Sequence, residues 1–119
     1  MDAFKIELQR PQVDKEFNDV LVESIDETLT VILDRATVDA LYAYLQKIHS
    51  ISRDEVPYKL DILSTTLEKL FGAGAPSMTK AIARRFYLKL GLRFTGNPSR
   101  TLLEYVHEAK KQLQNGSSK

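Results

Sequence analysis

The residues of this chain able to carry chemistry are few, and those that cluster are cations. Lys80, Arg84, Arg85, Lys89, Arg93 and Arg100 fall within one short stretch. On a helix Lys80 and Arg84 stand four apart on one face, and Arg85 and Lys89 form a neighbouring row. Phe86, Tyr87 and Phe94 are interleaved with them. Clustered cations suit an anionic partner, and adjacent aromatic rings add stacking platforms for nucleic-acid bases. The same cations could instead neutralise acids of the chain itself. Asp19, Glu23, Asp26 and Glu27 lie on one face of an early predicted helix, so internal pairing is the favoured expectation and nucleic-acid binding the alternative.

The net charge of +1 conceals a strong polarity. Residues 1–79 hold 14 acids against 8 Lys and Arg, a net −6, whereas residues 80–119 hold 9 Lys and Arg against 2 acids, a net +7. Such asymmetry points either to docking of the acidic part on the basic part or to a basic surface for an outside anion. A nearly neutral total lacks the overall basic bias of a typical nucleic-acid domain.

The remaining reactive types form no constellation. His49 and His107 are the only histidines, and neither has a second ligand at a metal spacing. Asp26–Glu27 and Asp54–Glu55 are adjacent in sequence, so on a helix they point about 100° apart and make no acid/base dyad. Gly72-Ala73-Gly74-Ala75 precedes Ser77, Thr79 and Lys80, and exposed amides at a helix start can hold phosphate. The nucleotide-binding signature is nevertheless absent and a helix, not a strand, comes before it. A tight helix–helix turn is the reading. With no cysteine there are no disulfides, thiolate metal sites or cysteine nucleophiles. No catalytic, cofactor-binding or metal-binding residues are expected, and the chain is read as non-enzymatic.

At 119 residues the chain suits one domain that buries roughly two thirds of its unfolded surface. No stretch approaches the roughly 18 apolar residues of a membrane span, and the start Met1-Asp2-Ala3-Phe4-Lys5 lacks a signal pattern; a cytoplasmic protein without membrane partners is expected. No internal repeat is visible.

Periodicity predicts the elements. Phe4, Ile6 and Leu8 alternate with polar residues, giving an extended N-terminal arm over 1–13. A helix is predicted over 15–33, capped by Asp14, with Phe17, Val20, Leu21, Ile25, Thr28, Leu29 and Ile32 on its apolar face. A second, 35–49, is capped by Asp34 and carries Val38, Leu41, Tyr42, Leu45 and Ile48; Tyr42 is assigned to the core and Tyr44 to the surface. Ser52 and Glu55 have capping-box spacing before one short turn at Pro57. A third helix, 58–71, shows Leu60, Leu63, Leu67 and Leu70, and Gly72 is placed to stop it with a positive φ. A fourth, 76–90, opens on Pro76, carries Met78, Ile82, Phe86 and Leu90, and stops at Gly91. A fifth, 98–113, starts with Asn97 as cap and ends in a frayed tail. Leu102, Leu103, Val106, Ala109 and Leu113 give it an apolar seam.

Several of these pieces occur in an order that resembles a family of small helical output domains associated with archaeal signalling. The carrying residues are Val22-Glu23-Ser24-Ile25-Asp26, Ser52-Arg53-Asp54-Glu55-Val56-Pro57, Leu67, Leu70-Phe71-Gly72-Ala73-Gly74-Ala75, and Ala81-Ile82 with Leu88-Lys89-Leu90-Gly91. They span residues 20–92. The resemblance implies an all-α fold and an effector or interaction module with no assigned activity. The chain is therefore expected to be all-α: a compact bundle of four main helices over 14–94, plus a C-terminal fifth helix over 95–119. Its expected role is a non-enzymatic protein-interaction or output module in archaeal signalling, with a protein partner that the sequence cannot name. Because four helices can close a core, the fifth is expected to reach a second copy through Leu102, Leu103, Val106 and Leu113, making a homodimer.

Overall fold

The computed structural model describes residues 11–116. They form five α-helices and no strand: α1 Pro11–Ile32, α2 Arg35–His49, α3 Leu60–Phe71, α4 Ala75–Leu90 and α5 Leu102–Gly116. Short 3-10 segments, Arg53–Tyr58 and Gly72–Gly74, lead into α3 and α4. The architecture is the expected all-α bundle. Residues 1–10 of the N-terminal arm lie outside the described residues. The remaining three, 11–13, are already helical. Proline's fixed φ suits the first helical position, and Asp14 sits inside the helix, not at its cap.

α4 is the hub. It packs against α1 along most of its length and also meets α3 and α5, while α2 lies on α1. Phe86, fully buried on α4, meets Phe17 of α1 edge to face at 5.1 Å, the arrangement that ring quadrupoles favour. Leu21, Ile25 and Leu29 of α1 and Ile82 and Ala83 of α4 fill the same core. Ser24 and Thr28 are buried as well. The Ser24 hydroxyl donates to the Val20 carbonyl at 2.8 Å, which satisfies a group whose unpaired burial would be costly.

The helix ends follow local chemistry. Asp34 accepts from the Thr37 N–H at 2.7 Å as the cap of α2; hydrogen bonding with the Thr37 side chain, and then this N–H, holds its carboxyl below the usual range. At the other end Ser50 turns left-handed with φ 57°, so that Ile51 is buried where the stripe called for Ile48, which is exposed. The Glu55 carboxylate accepts from both the N–H and the hydroxyl of Ser52 and starts a full 3-10 segment through Pro57, so α3 begins at Leu60, not at 58. In the last turn of α3, Phe71 packs on the core and Leu70 faces outward.

Gly72 has φ 58° and ψ −127°, a region that a side chain disfavours. Gly91 is left-handed, and its Leu92 N–H bonds the Tyr87 carbonyl at 2.9 Å, a Schellman closure. α4 begins one residue before Pro76.

α5 departs most from expectation. It starts at Leu102 because Thr101 and Glu104 cap it reciprocally: the Glu104 N–H reaches Thr101 Oγ1 at 3.1 Å, and the Thr101 N–H reaches Glu104 Oε1 at 2.8 Å. Asn97 is not the cap; its side chain accepts from the Ser99 N–H at 3.0 Å within the preceding turn. The seam is real but turned inward. Leu102, Val106 and Ala109 are buried against the chain's own helices, and Leu113 packs on the same core. Of the residues expected to reach a second copy, only Leu103 is exposed, at 38%. Tyr105, absent from the expected seam, holds α5 in place: its hydroxyl donates to the Asn97 carbonyl at 3.0 Å and accepts from the Asn97 N–H at 2.7 Å. The buried Tyr87 hydroxyl donates to the Tyr105 carbonyl at 2.7 Å.

Two outcomes follow. At Gly72 a Cβ would meet nothing within 4 Å, so Gly72→Ala should destabilise by about 1 kcal/mol or more through backbone strain alone, as read from urea unfolding; an unchanged midpoint would contradict the strained turn. Leu102 and Val106 each stabilise by about 1.5–3 kcal/mol when buried, a large part of a domain's total of about 5–15 kcal/mol. A chain ending at Phe94 should therefore lose its cooperative thermal transition, and a truncated chain that unfolds as sharply as the full one would show α5 to be an appendage.

Candidate functional site

The six cations do not make one surface, because the helix that carries four of them divides them between two sides. Arg85 and Lys89 face α1. The Arg85 guanidinium meets Glu27 at 3.4 Å and donates through Nε to the buried Thr28 hydroxyl at 3.1 Å. Lys89 Nζ lies 3.2 Å from Glu23 and 3.0 Å from Glu27. The expected docking of early acids on the basic helix is thus seen for Glu23 and Glu27. Lys89 lowers the Glu27 pKa by its hydrogen bond, helped by Arg85, and the two acids raise that of Lys89. Each exposed pair contributes little alone, since water and salt screen it; the gain is in fixing how α4 rolls against α1.

The other acids of α1 are placed differently. Asp26 is half-buried and meets Arg35 at 3.5 Å and Arg53 at 3.8 Å, tying α1 to α2 and to the 3-10 segment. Tyr42 lies in this cluster under Arg53, which is 5.9 Å from its ring centroid. Burial pushes the Tyr42 hydroxyl up, with Asp26 adding to the effect. Arg53 acts on that hydroxyl by charge, without a hydrogen bond of ordinary geometry. Among the described residues Asp19 pairs with Lys15 on its own helix, at 3.0 Å.

Lys80 and Arg84 stand on the next face of α4. The Arg84 guanidinium lies over the Phe94 ring at 5.6 Å, and Arg100 lies over Tyr105 at 5.8 Å. Phe94, Tyr87 and Tyr105 form one aromatic cluster, with Phe94 5.4 Å from Tyr87 and 5.2 Å from Tyr105. These rings are spent on packing α5, so the interleaved aromatics are not free stacking platforms. Arg93 is exposed beyond the end of α4. No acid among the described residues pairs with Lys80 or Arg84.

Between these two rows runs a groove of about 450 Å³, bounded by the end of α1 and the outer face of α4. Ser77, Ala81, Arg84 and Leu88 follow one another along α4 at spacings of four, three and four, a line of about 16 Å. Val31 and Ile32 form the α1 side. Leu88 is 77% exposed, Val31 73% and Ile32 46%, so three large apolar side chains share one open depression beside two cations without acidic partners. Sequence reasoning missed this site: it put Ile32 in the core and assigned Val31 and Leu88 no role. The available signal was Leu88 itself, an apolar residue four positions after Arg84 on a charged row.

No group of three or more His, Cys, Asp or Glu among the described residues could hold a metal ion. His107 lies in a separate polar depression with Arg100, Glu104, Glu108 and Lys111, where opposed charges largely cancel. No described helix is long and apolar enough to cross a membrane. No family model matches the chain, and neither a curated protein nor a solved structure matches it.

The α1–α4 ion pairs carry a definite pH dependence. The folded-state pKa of Glu27 is lowered, so its contribution is present above the unfolded pKa and is lost as pH falls through the folded one. That of Lys89 is raised, so its contribution is lost only as pH rises through the alkaline range. The Tm difference between the parent and Glu27→Gln should therefore be largest near neutrality and close on acidification below the ordinary glutamate range. A difference that widens in acid would show that Glu27 is not held by these cations.

Proposed function

We propose that this protein is a non-enzymatic protein-interaction or output module of a regulatory pathway, acting through the outer face of α4. One observation carries this reading: Val31, Ile32 and Leu88 are exposed together in a groove beside Lys80 and Arg84. Contiguous apolar surface rimmed by polar groups is costly to leave in water and is characteristic of protein contact sites. The order of motifs over residues 20–92, which resembles archaeal signalling output domains, supports the same class of function and suggests an archaeal setting, and the lack of cysteine fits a reducing cytoplasm. Nucleic-acid binding is less well supported. Arg85 and Lys89 are occupied by Glu27 and Glu23, which leaves few cations to neutralise phosphates, and affinity for nucleic acid scales with the number neutralised.

A photo-cross-linking residue at position 88, compared with one at the exposed position 47 on α2, tests the reading in cells. Protein adducts specific to position 88 are the expected outcome. Mixed-sequence DNA or RNA that shifts with the chain at low salt, releases at higher salt and fails to bind Lys80→Glu/Arg84→Glu would replace this reading with the nucleic-acid one.

A further inference from the structure

We propose that the α1–α4 groove is the docking site for an acidic amphipathic helix of a partner protein, an inference that rests on the interaction-module reading above. The shape argues for a helix. The described chain has no strand and hence no sheet edge, so an extended peptide would find no backbone hydrogen bonds here, whereas a helix satisfies its own. The groove follows α4 for about 16 Å, the length of three helical turns. Its middle is lined by Ala81, whose small side chain permits close approach. Val31 and Ile32 at one side and Leu88 at one end then receive apolar residues spaced at i, i+3, i+4 and i+7 of the incoming helix.

The charge selects the partner. Lys80 and Arg84 rim the groove without acidic partners among the described residues, so the incoming helix carries Asp or Glu on its α4 side, away from the carbonyl end of α1, which repels anions. Arg85 is already anchored by Glu27 and Thr28 and serves as a fixed wall. A second copy docking face to face would set these cations against themselves, and like charges across an interface are unfavourable. A bilayer is too flat to fill a depression between two helices, and two unpaired cations beside three aliphatic side chains are poor equipment for a phosphate backbone.

The test uses the full chain and three synthetic peptides of about 18 residues, long enough to hold helical structure. The first has Leu at i, i+3, i+4 and i+7 with Glu flanking them. The second has the same composition in an order that destroys the helical period. The third replaces Glu by Lys. Fluorescence anisotropy should show saturable binding of the first, with the other two weaker by at least about tenfold. Leu88→Asp, Val31→Ser and Arg84→Glu should each weaken the first peptide by a similar factor, while circular dichroism and Tm confirm that these surface variants remain folded. Equal binding of the period-destroyed peptide, or no effect of Leu88→Asp, overturns the proposal. So does Leu88-dependent binding to vesicles containing anionic phospholipid with none to the acidic peptide. Protein cross-links at position 88 that persist when every peptide fails would retain the interaction reading and reject only the acidic helix; loss of both would reject both.

Discussion

The packing of α1 on α4 is the constraint on which the rest depends. α4 is the one helix that meets α1, α3 and α5, so its roll about its own axis sets which residues every other helix can cover. Phe86 against Phe17 supplies the apolar part of that decision. The Arg85 and Lys89 contacts with Glu23, Glu27 and Thr28 supply the polar part along one border. Burial provides the free energy, and the charged border provides the orientation. With that roll set, Lys80, Arg84 and Leu88 are directed to the outside, and the groove is a consequence of the core.

The same interface accounts for how the charge polarity is used. The acidic and basic parts of the chain compensate one another in part, through Glu23 and Glu27 on one helix and Arg85 and Lys89 on another. Compensation stops at the midline of α4. Lys80 and Arg84, one helical face away, have no acid opposite them among the described residues. They sit beside side chains that the core did not absorb. A surface with both features is the expected form of a recognition site, where apolar contact supplies affinity and charge restricts the partner.

Much of the fold was legible from local signals. Asp34 at the start of α2, Gly72 with its positive φ and Gly91 as a stop all lie where turn and cap chemistry placed them, because these devices involve residues within a few positions of each other. The misplaced boundaries also have local causes. At α5 both Asn97 and Thr101 are good caps, and only the Glu104 three residues after Thr101 distinguishes them. At Ser50 a non-glycine residue takes the left-handed conformation, which propensity would not suggest, and Ile51 replaces Ile48 in the core. Of the candidate site, the cations were legible and the apolar residues were not. A run of Lys and Arg stands out by type, whereas Val31, Ile32 and Leu88 differ from core residues only in what fails to cover them.

The sequence by itself determined the all-α class, the helices with the caps at Asp34, Gly72 and Gly91, and the segregation of acid from base. Those properties are encoded in periodicity and in the chemistry of short stretches. Only the tertiary structure decided which charges pair, where α5 goes and which apolar side chains stay in water. The seam of Leu102, Val106, Ala109 and Leu113 reads identically whether it meets its own chain or another; in the folded structure it is buried in the chain's own core, where the Tyr87 hydroxyl of α4 reaches the Tyr105 carbonyl. A helical face is a one-dimensional property of its segment, but its covering is a relation between segments far apart in the chain, and that relation exists only once they are packed.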